Sequence, residues 1–216
     1  WPAEANRANN TSLQSTVDLP SARHLDAIFA LKQTESGRHA AGFLLESPDP
    51  YTCRPMHRIV SKAQLSPNVT RLDVEAPRIA EIRKPGQFVI VRRAPKAERI
   101  PLTIADTDKA KGTISLVIQA VGKSTKELVA LNVGEFLQDI SGPLGMPTEL
   151  IEKGRALCVG GGVGTAVVHP IAQGLHARGV HVTSVIGGRS KEWVIFENDL
   201  KRLGDVTLLL VTHRTA

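Results

Sequence analysis

Cys158-Val159-Gly160-Gly161-Gly162-Val163-Gly164-Thr165-Ala166 is the stretch that decides the fold. An apolar strand over 156–159 runs into a glycine cluster, and a helix-compatible stretch over 165–178 follows. Gly179 is placed to cap that helix at its C-terminal end. Strand, glycine turn and helix together present backbone N–H groups and the positive end of a helix dipole to a diphosphate. The dinucleotide fingerprint G-x-G-x-x-G/A is not met: counted from Gly160 its last position is Thr165, and counted from Gly162 it is Val167. A tight strand–helix turn without a ligand is the alternative, and the strand-loop-helix context favours the diphosphate site over it.

Downstream, the pattern predicts a strand over 180–186, a helix over 192–203 and a strand over 206–211. The order β-α-β-α-β implies a parallel sheet covered by helices. Three strands make half of a usual doubly wound sheet, so a nucleotide-binding α/β domain over 153–216 is expected to be incomplete at its C-terminal end. The second strand closes on Gly187-Gly188-Arg189-Ser190. No Asp or Glu stands there to hold a ribose 2′-hydroxyl, and Arg189, Ser190 and Lys191 suit a 2′-phosphate. A plain polar loop fits them as well.

Upstream the rhythm is different. Strands are predicted over 58–65 and 69–76, joined at Ser66-Pro67-Asn68. Further strands follow over 87–91, 102–105 and 113–120. Short strands with Gly and Pro punctuation point to a small antiparallel β-barrel over 56–152. One helix interrupts it at 124–131, with Ser124 as N-cap and Glu127 completing a capping box. Residues 1–55 are broken by prolines and weakly patterned, apart from a short helical stretch at 24–32. They read as an extension, with Met56 as the expected natural start and a genuine N-terminal extension as the alternative.

Composition narrows the function classes. The formal charge is +6 and the pI about 9.6, with two Trp, one Tyr and five Phe. The basic residues are scattered and stacking rings are few, which argues against nucleic acid and for small anionic or acidic partners. No stretch approaches the roughly 18 apolar residues of a membrane span. Cys53 and Cys158 are too few for a disulfide scaffold or a four-thiolate iron–sulfur centre, and fit a reducing cytoplasm. His169 and His176 share a helix face but lack a third ligand, so no metal is expected. Cys158, inside a strand, reads as a core residue.

Three further segments carry chemistry. Val121-Gly122-Lys123-Ser124-Thr125 resembles the tail of a phosphate-binding loop, but the glycine such a loop needs five residues before Gly122 is Val117. What remains is an anion site of amides, hydroxyls and an ammonium at a helix start, or simply a capped surface helix. Arg99-Ile100-Pro101-Leu102-Thr103 offers a guanidinium for phosphate beside a strand. Ser141-Gly142-Pro143-Leu144-Gly145 reads as a turn at the domain junction.

These segments occur in one order, and together they resemble the ferredoxin–NADP reductase superfamily over residues 56–211. The likeness is to its small electron-transfer subunits, those of NADH-dependent ferredoxin–NADP oxidoreductase and of dihydroorotate dehydrogenase. The resemblance implies a flavin-binding barrel and a nicotinamide-nucleotide domain. It implies a flavin-dependent NAD(P)H oxidoreductase that passes electrons to a larger redox subunit and a ferredoxin. Arg99, Pro101, Leu102 and Thr103 fall where the family holds FAD. Gly122, Lys123, Ser124 and Thr125 fall at the flavin diphosphate, and Gly142, Pro143, Leu144 and Gly145 at the cleft beside the flavin. Gly160, Gly161, Gly162, Val163, Gly164 and Thr165 fall on the nicotinamide-nucleotide loop, with Arg189 near the adenosine ribose. No single residue is implied as a catalytic acid or base. Longer family members go on to a cysteine cluster holding a [2Fe–2S] centre, whose ligands are absent from this sequence. Thr212-His213-Arg214 stands where the family has an acidic, glycine-containing loop, so a fragment or a frameshifted end is expected. A flavin-holding docking fragment is the non-catalytic alternative.

Overall fold

Period-two alternation governs the first part of the chain. In the computed structural model, which describes residues 56–210, β1 (His57–Ser66) and β2 (Val69–Glu75) pair antiparallel across the Ser66-Pro67-Asn68 turn. A short helix α1 (Pro77–Ile82) follows, opened by a proline in its first turn. Then come β3 (Phe88–Arg92), β4 (Arg99–Asp108) and β5 (Thr113–Gln119). After α2 (Lys123–Val129), β6 (Phe136–Leu137) and β7 (Asp139–Leu144) complete a seven-stranded antiparallel sheet in the order β6-β1-β2-β5-β4-β3-β7. β6 and β7 lie at opposite edges of that sheet, yet only Gln138 separates them in sequence. The sheet must therefore curl until its edges meet, which makes it a nearly closed barrel.

The barrel interior is filled by Ile59, Leu72, Val74, Val89, Val91, Ile104, Ile114, Leu116 and Ile118, all essentially buried. α2 adds Leu128 to this core. β5 is buried on both faces. Ile114, Leu116 and Ile118 point into the barrel, while Val117 joins a second core with Val69 and Ala105. Leu116→Ala is expected to lower stability by about 2–5 kcal/mol through lost transfer energy and a cavity. Denaturant unfolding checks this.

The second core belongs to the α/β part. β8 (Arg155–Gly161), β9 (His181–Gly188) and β10 (Gly204–Leu210) form a parallel sheet in the order β10-β9-β8. Helix α3 (Thr165–His176) packs Ala166, Ala172 and Leu175 against Val182 and Ile186. Gly179, at φ +77°, ends it: its N–H donates to His176 O and that of Val180 to Leu175 O. The described residues fall in one compact unit, and α3 packs on the barrel's outer surface at the C-terminal half of β4.

Four sequence expectations shift. The helix expected over 192–203 is instead a single tight turn at Lys191–Trp193 and a short helix α4 (Glu197–Lys201). Between them, Ile195 and Phe196 turn into the core, and Phe196 adopts a left-handed backbone. Ser124 is not the N-cap of α2; Gly122 is. β4 is ten residues long rather than a short strand at 102–105, because its polar ends also find ladder partners. Ser141-Gly142-Pro143-Leu144 is strand rather than turn. The helical stretch at 24–32 and the strand residue Val211 lie outside the described residues.

Candidate functional site

β3 lies between β4 and β7 and brings two distant motifs onto one face. Ile100 and Leu102 pack against the barrel core, so by alternation Arg99, Pro101 and Thr103 face outward. Val89 and Val91 are buried, which turns Phe88, Ile90 and Arg92 outward as well. The registers then set three rows across the outer face. These are Arg99–Arg92–Asp139, Pro101–Ile90–Ser141 and Thr103–Phe88–Leu144. Arg92 forms an ion pair with Asp139, and the Arg99 guanidinium lies 3.9 Å from the same carboxylate. The ring of Phe88 packs on the backbone of Gly145, where an added Cβ would fall 2.9 Å from Phe88 Cε1. At Gly142 a Cβ would meet Val89 Cγ1 at 2.7 Å, so this strand can approach β3 only as glycine. Leu102 supports the face from inside and does not reach it.

Beside this face, the β3–β4 hairpin and the start of α2 enclose a cleft of about 400 Å³ lined by Arg93, Lys96, Glu98, Ile100, Lys123 and Ser124, among others. The Thr125 hydroxyl accepts the Gly122 N–H at 3.0 Å and the Val121 N–H at 3.2 Å, and donates to Gly122 O at 3.0 Å. Gly122 and Thr125 therefore build the turn, while Lys123 and Ser124 line the cleft. Ser124 donates to Glu98, and Arg93 lies 3.6 Å from Glu127. Arg93, Lys96 and Lys123 outnumber the two carboxylates, which favours an anion.

A second cleft, about 500 Å³, opens at the C-terminal ends of β8 and β9 between Gln119, Gly161, Gly162, Gly187, Gly188, Arg189 and Trp193. Ligands of open α/β sheets bind at such strand ends. Gly160 is buried against the first turn of α3, where an added Cβ would lie 2.9 Å from Thr165 Cα. Gly161, Gly162 and Gly164 have open space where a Cβ would be, and Gly162 needs its φ of +51°. Their backbone is thus free to approach a diphosphate. Val163 packs toward the core and Thr165 is buried, so neither side chain lines the cleft. The Arg189 guanidinium sits 3.7 Å over the Trp193 ring, a cation–π contact that holds it at the rim. The two clefts flank one connection: Gln119 lines one, and Lys123 the other.

Cys158 is buried, and desolvation pushes its thiol above the ordinary range, away from the reactive thiolate. In a Cys53→Ser background, Cys158 is expected to resist a thiol reagent at neutral pH until the chain is unfolded, as a time course of labelling checks. His169 is buried at the barrel contact, and its Nδ1 lies 3.0 Å from Ala105 O. Among the described residues no group of three or more His, Cys, Asp or Glu is arranged to hold a metal.

Sequence reasoning missed the outward residues of β3 and the cleft residues Arg93, Lys96 and Glu98. Phe88-Val89-Ile90-Val91 is apolar at every position, so alternation could not assign its faces. The Pro95 turn between two strands was the available sign of a hairpin.

Comparison with known proteins agrees with this geometry. Residues 56–148 match the oxidoreductase FAD-binding domain family. A dihydroorotate dehydrogenase B (NAD(+)) electron transfer subunit homolog of Thermotoga maritima is 40% identical over 154 residues, covering 71% of this chain and 55% of that protein. The corresponding subunit of Bacillus cereus is 33% identical over 165 residues, covering 73% and 63%. The solved structure of NADH-dependent reduced ferredoxin–NADP oxidoreductase superposes with a TM-score of 0.68 at 36% identity, covering 72% of this chain and 56% of that one. The chain thus spans little more than half the length of the relatives it matches. On a seven-stranded barrel, a parallel sheet with a glycine loop and these relatives, the chain belongs to the ferredoxin–NADP reductase superfamily of FAD-binding oxidoreductases.

Proposed function

We propose that the chain carries out FAD-dependent electron transfer between NAD(P)H and an iron–sulfur or ferredoxin partner. The observation that carries the reading is the joint outer face of β4, β3 and β7, with a cation-lined cleft at one end and a glycine-lined cleft across the β5–α2 connection. The residues fit FAD. Pro101, Thr103, Phe88 and Gly145 offer a surface for a flat ring system, and Arg99, Lys123 and Ser124 offer donors for its diphosphate. FAD held by these residues would supply a hydride acceptor and a single-electron donor, chemistry that belongs to the cofactor. The chain's residues supply placement. Gly161, Gly162 and Gly164 bind the nucleotide diphosphate through backbone N–H groups, and the dipole of α3 favours its charge. The Phe88 ring against Gly145 fixes the height of the ring surface.

The named relatives that are dihydroorotate dehydrogenase subunits favour a second acceptor. In that reading the same chain feeds a dehydrogenase subunit. A larger redox subunit is the expected partner in either case. No helix among the described residues is long and apolar enough to cross a membrane. We place the protein in the cytoplasm on its two cysteines.

Anaerobic addition of NADH, then of NADPH, to the FAD-loaded chain tests the reading. Bleaching of the flavin band supports a reductase. A flavin-loaded chain that neither nucleotide bleaches leaves only the docking role. Arg189 bears on nucleotide choice, since no acid accompanies it at the end of β9. Arg189→Ala is expected to weaken NADPH about 10-fold, the loss of one charge-assisted phosphate contact, and NADH far less. The two half-saturation concentrations for bleaching check it.

A further inference from the structure

We propose that His169 is a positioning residue that fixes the nucleotide loop of α3 against the flavin-side strand β4. The inference rests on the functional reading above. β4 carries a β-bulge where its ladder to β5 steps from Ile104↔Leu116 to Asp106↔Ser115 and leaves Ala105 unpaired. His169 Nδ1 lies 3.0 Å from the carbonyl of that bulged residue. A carbonyl only accepts, so Nδ1 carries the proton and the ring orientation is set.

The contact is built into both cores. His169 is 3% exposed, and its ring stacks on Phe196 at 4.6 Å with an interplanar angle of 18°. Phe196 holds a left-handed backbone at φ 60°, uncommon for a residue other than glycine, and its buried ring stays in the stack. One turn further along α3, Gln173 Nε2 donates to Asp106 Oδ1 at 3.2 Å. Arg83 holds the other side of the bulge, 3.8 Å from Asp106 and donating to Thr107 Oγ1 at 3.0 Å. The same face of α3 therefore grips two successive residues of the bulge.

Position turns this contact into a gauge between the two sites. His169 is one helical turn after Thr165, where the glycine loop becomes helix. Ala105 is two residues after Thr103, the last outward residue of the flavin face. Both elements are rigid, so a shift at this hydrogen bond moves the loop relative to the flavin face without altering a residue of either cleft. Hydride transfer is sensitive to such spacing, since a misplacement of about 1 Å costs on the order of 100-fold.

Two variants separate the donor from the packing. His169→Phe keeps an aromatic ring against Phe196 and removes the donor. His169→Asn puts an amide N–H where Nδ1 was. Two readouts are taken on the full chain with FAD bound: the limiting rate of flavin bleaching at saturating NADH or NADPH, and amide hydrogen exchange over residues 160–166 without nucleotide. In His169→Phe the limiting rate is expected to fall about 10- to 100-fold with little change in half-saturating nucleotide. Exchange over the loop accelerates while that of the barrel core does not. His169→Asn restores both toward wild type. A His169→Phe chain with wild-type limiting rate and wild-type loop exchange overturns the proposal. If His169→Phe does not fold, His169→Gln, whose amide reaches the position of Nε2 rather than of Nδ1, takes its place, with the same two readouts and the same overturning result. If neither nucleotide bleaches the wild-type flavin, the functional reading fails, and loop exchange alone decides: faster exchange keeps the positioning role and unchanged exchange removes it.

Discussion

Gly160→Val is expected to leave the chain able to take up FAD and to abolish its reduction by either nicotinamide nucleotide. Even a Cβ at Gly160 falls 2.9 Å from Thr165 Cα and 3.3 Å from Thr165 N, so backbone would have to move. The movement separates the end of β8 from the first turn of α3, the two elements whose N–H groups we propose converge on the diphosphate. Losing about two such contacts, at about 1.5–3 kcal/mol each to a charged group, weakens the nucleotide at least about 100-fold. The barrel does not take part in the clash, which is why FAD stays. Gly161→Ala separates fold from binding: Gly161 has an extended backbone and nothing within 4 Å of a Cβ, so alanine leaves β8 and α3 in place and affects only the approach of the diphosphate, a smaller loss than in Gly160→Val. Nucleotide titration of both variants, followed by flavin bleaching, checks the contrast.

Arg99→Ala is expected to weaken FAD about 10- to 150-fold, from about 1.5–3 kcal/mol for one charge-assisted phosphate contact. Arg99 is outward on β4 and 57% exposed, and it shares Asp139 with Arg92. Its removal therefore leaves Asp139 paired and the barrel core untouched. Arg99→Lys keeps the charge without the fork and recovers only part of the affinity. Because the guanidinium is exposed, salt narrows the gap between wild type and Arg99→Ala. Fluorescence quenching of free FAD on titration with protein measures these affinities.

Much of this architecture was legible in the sequence because it follows from local rules. The Cys158–Ala166 stretch predicted strand, turn and helix, and the structure has β8, a glycine turn and α3 there. Gly179 predicted the end of that helix and terminates it. Hydrophobic alternation predicted β1, β2 and β5 to within a residue or two. The misses arise where tertiary contacts override local pattern. Over 192–203 the periodicity suits a helix, but burial of Ile195 and Phe196 breaks it. Thr125, not Ser124, organises the start of α2, because Gly122 bonds its hydroxyl and Ser124 is taken by Glu98. The candidate residues were nameable from motifs, but their assembly was not. That Arg99-Ile100-Pro101-Leu102-Thr103 and Gly142-Pro143-Leu144-Gly145 share one face depends on β3 pairing with both, and register is invisible in a run as uniformly apolar as Phe88–Val91. The His169–Ala105 contact was equally hidden, since a bulge is a property of the ladder rather than of the residue.

The central claim is that the outer face of β4, β3 and β7 binds FAD, and equilibrium titration of the folded chain with FAD tests it most directly. One bound equivalent per chain, weakened in Arg99→Ala and unchanged in Gly160→Val, is the predicted result. A chain that circular dichroism shows to be folded, yet stays colourless in excess FAD, would contradict it.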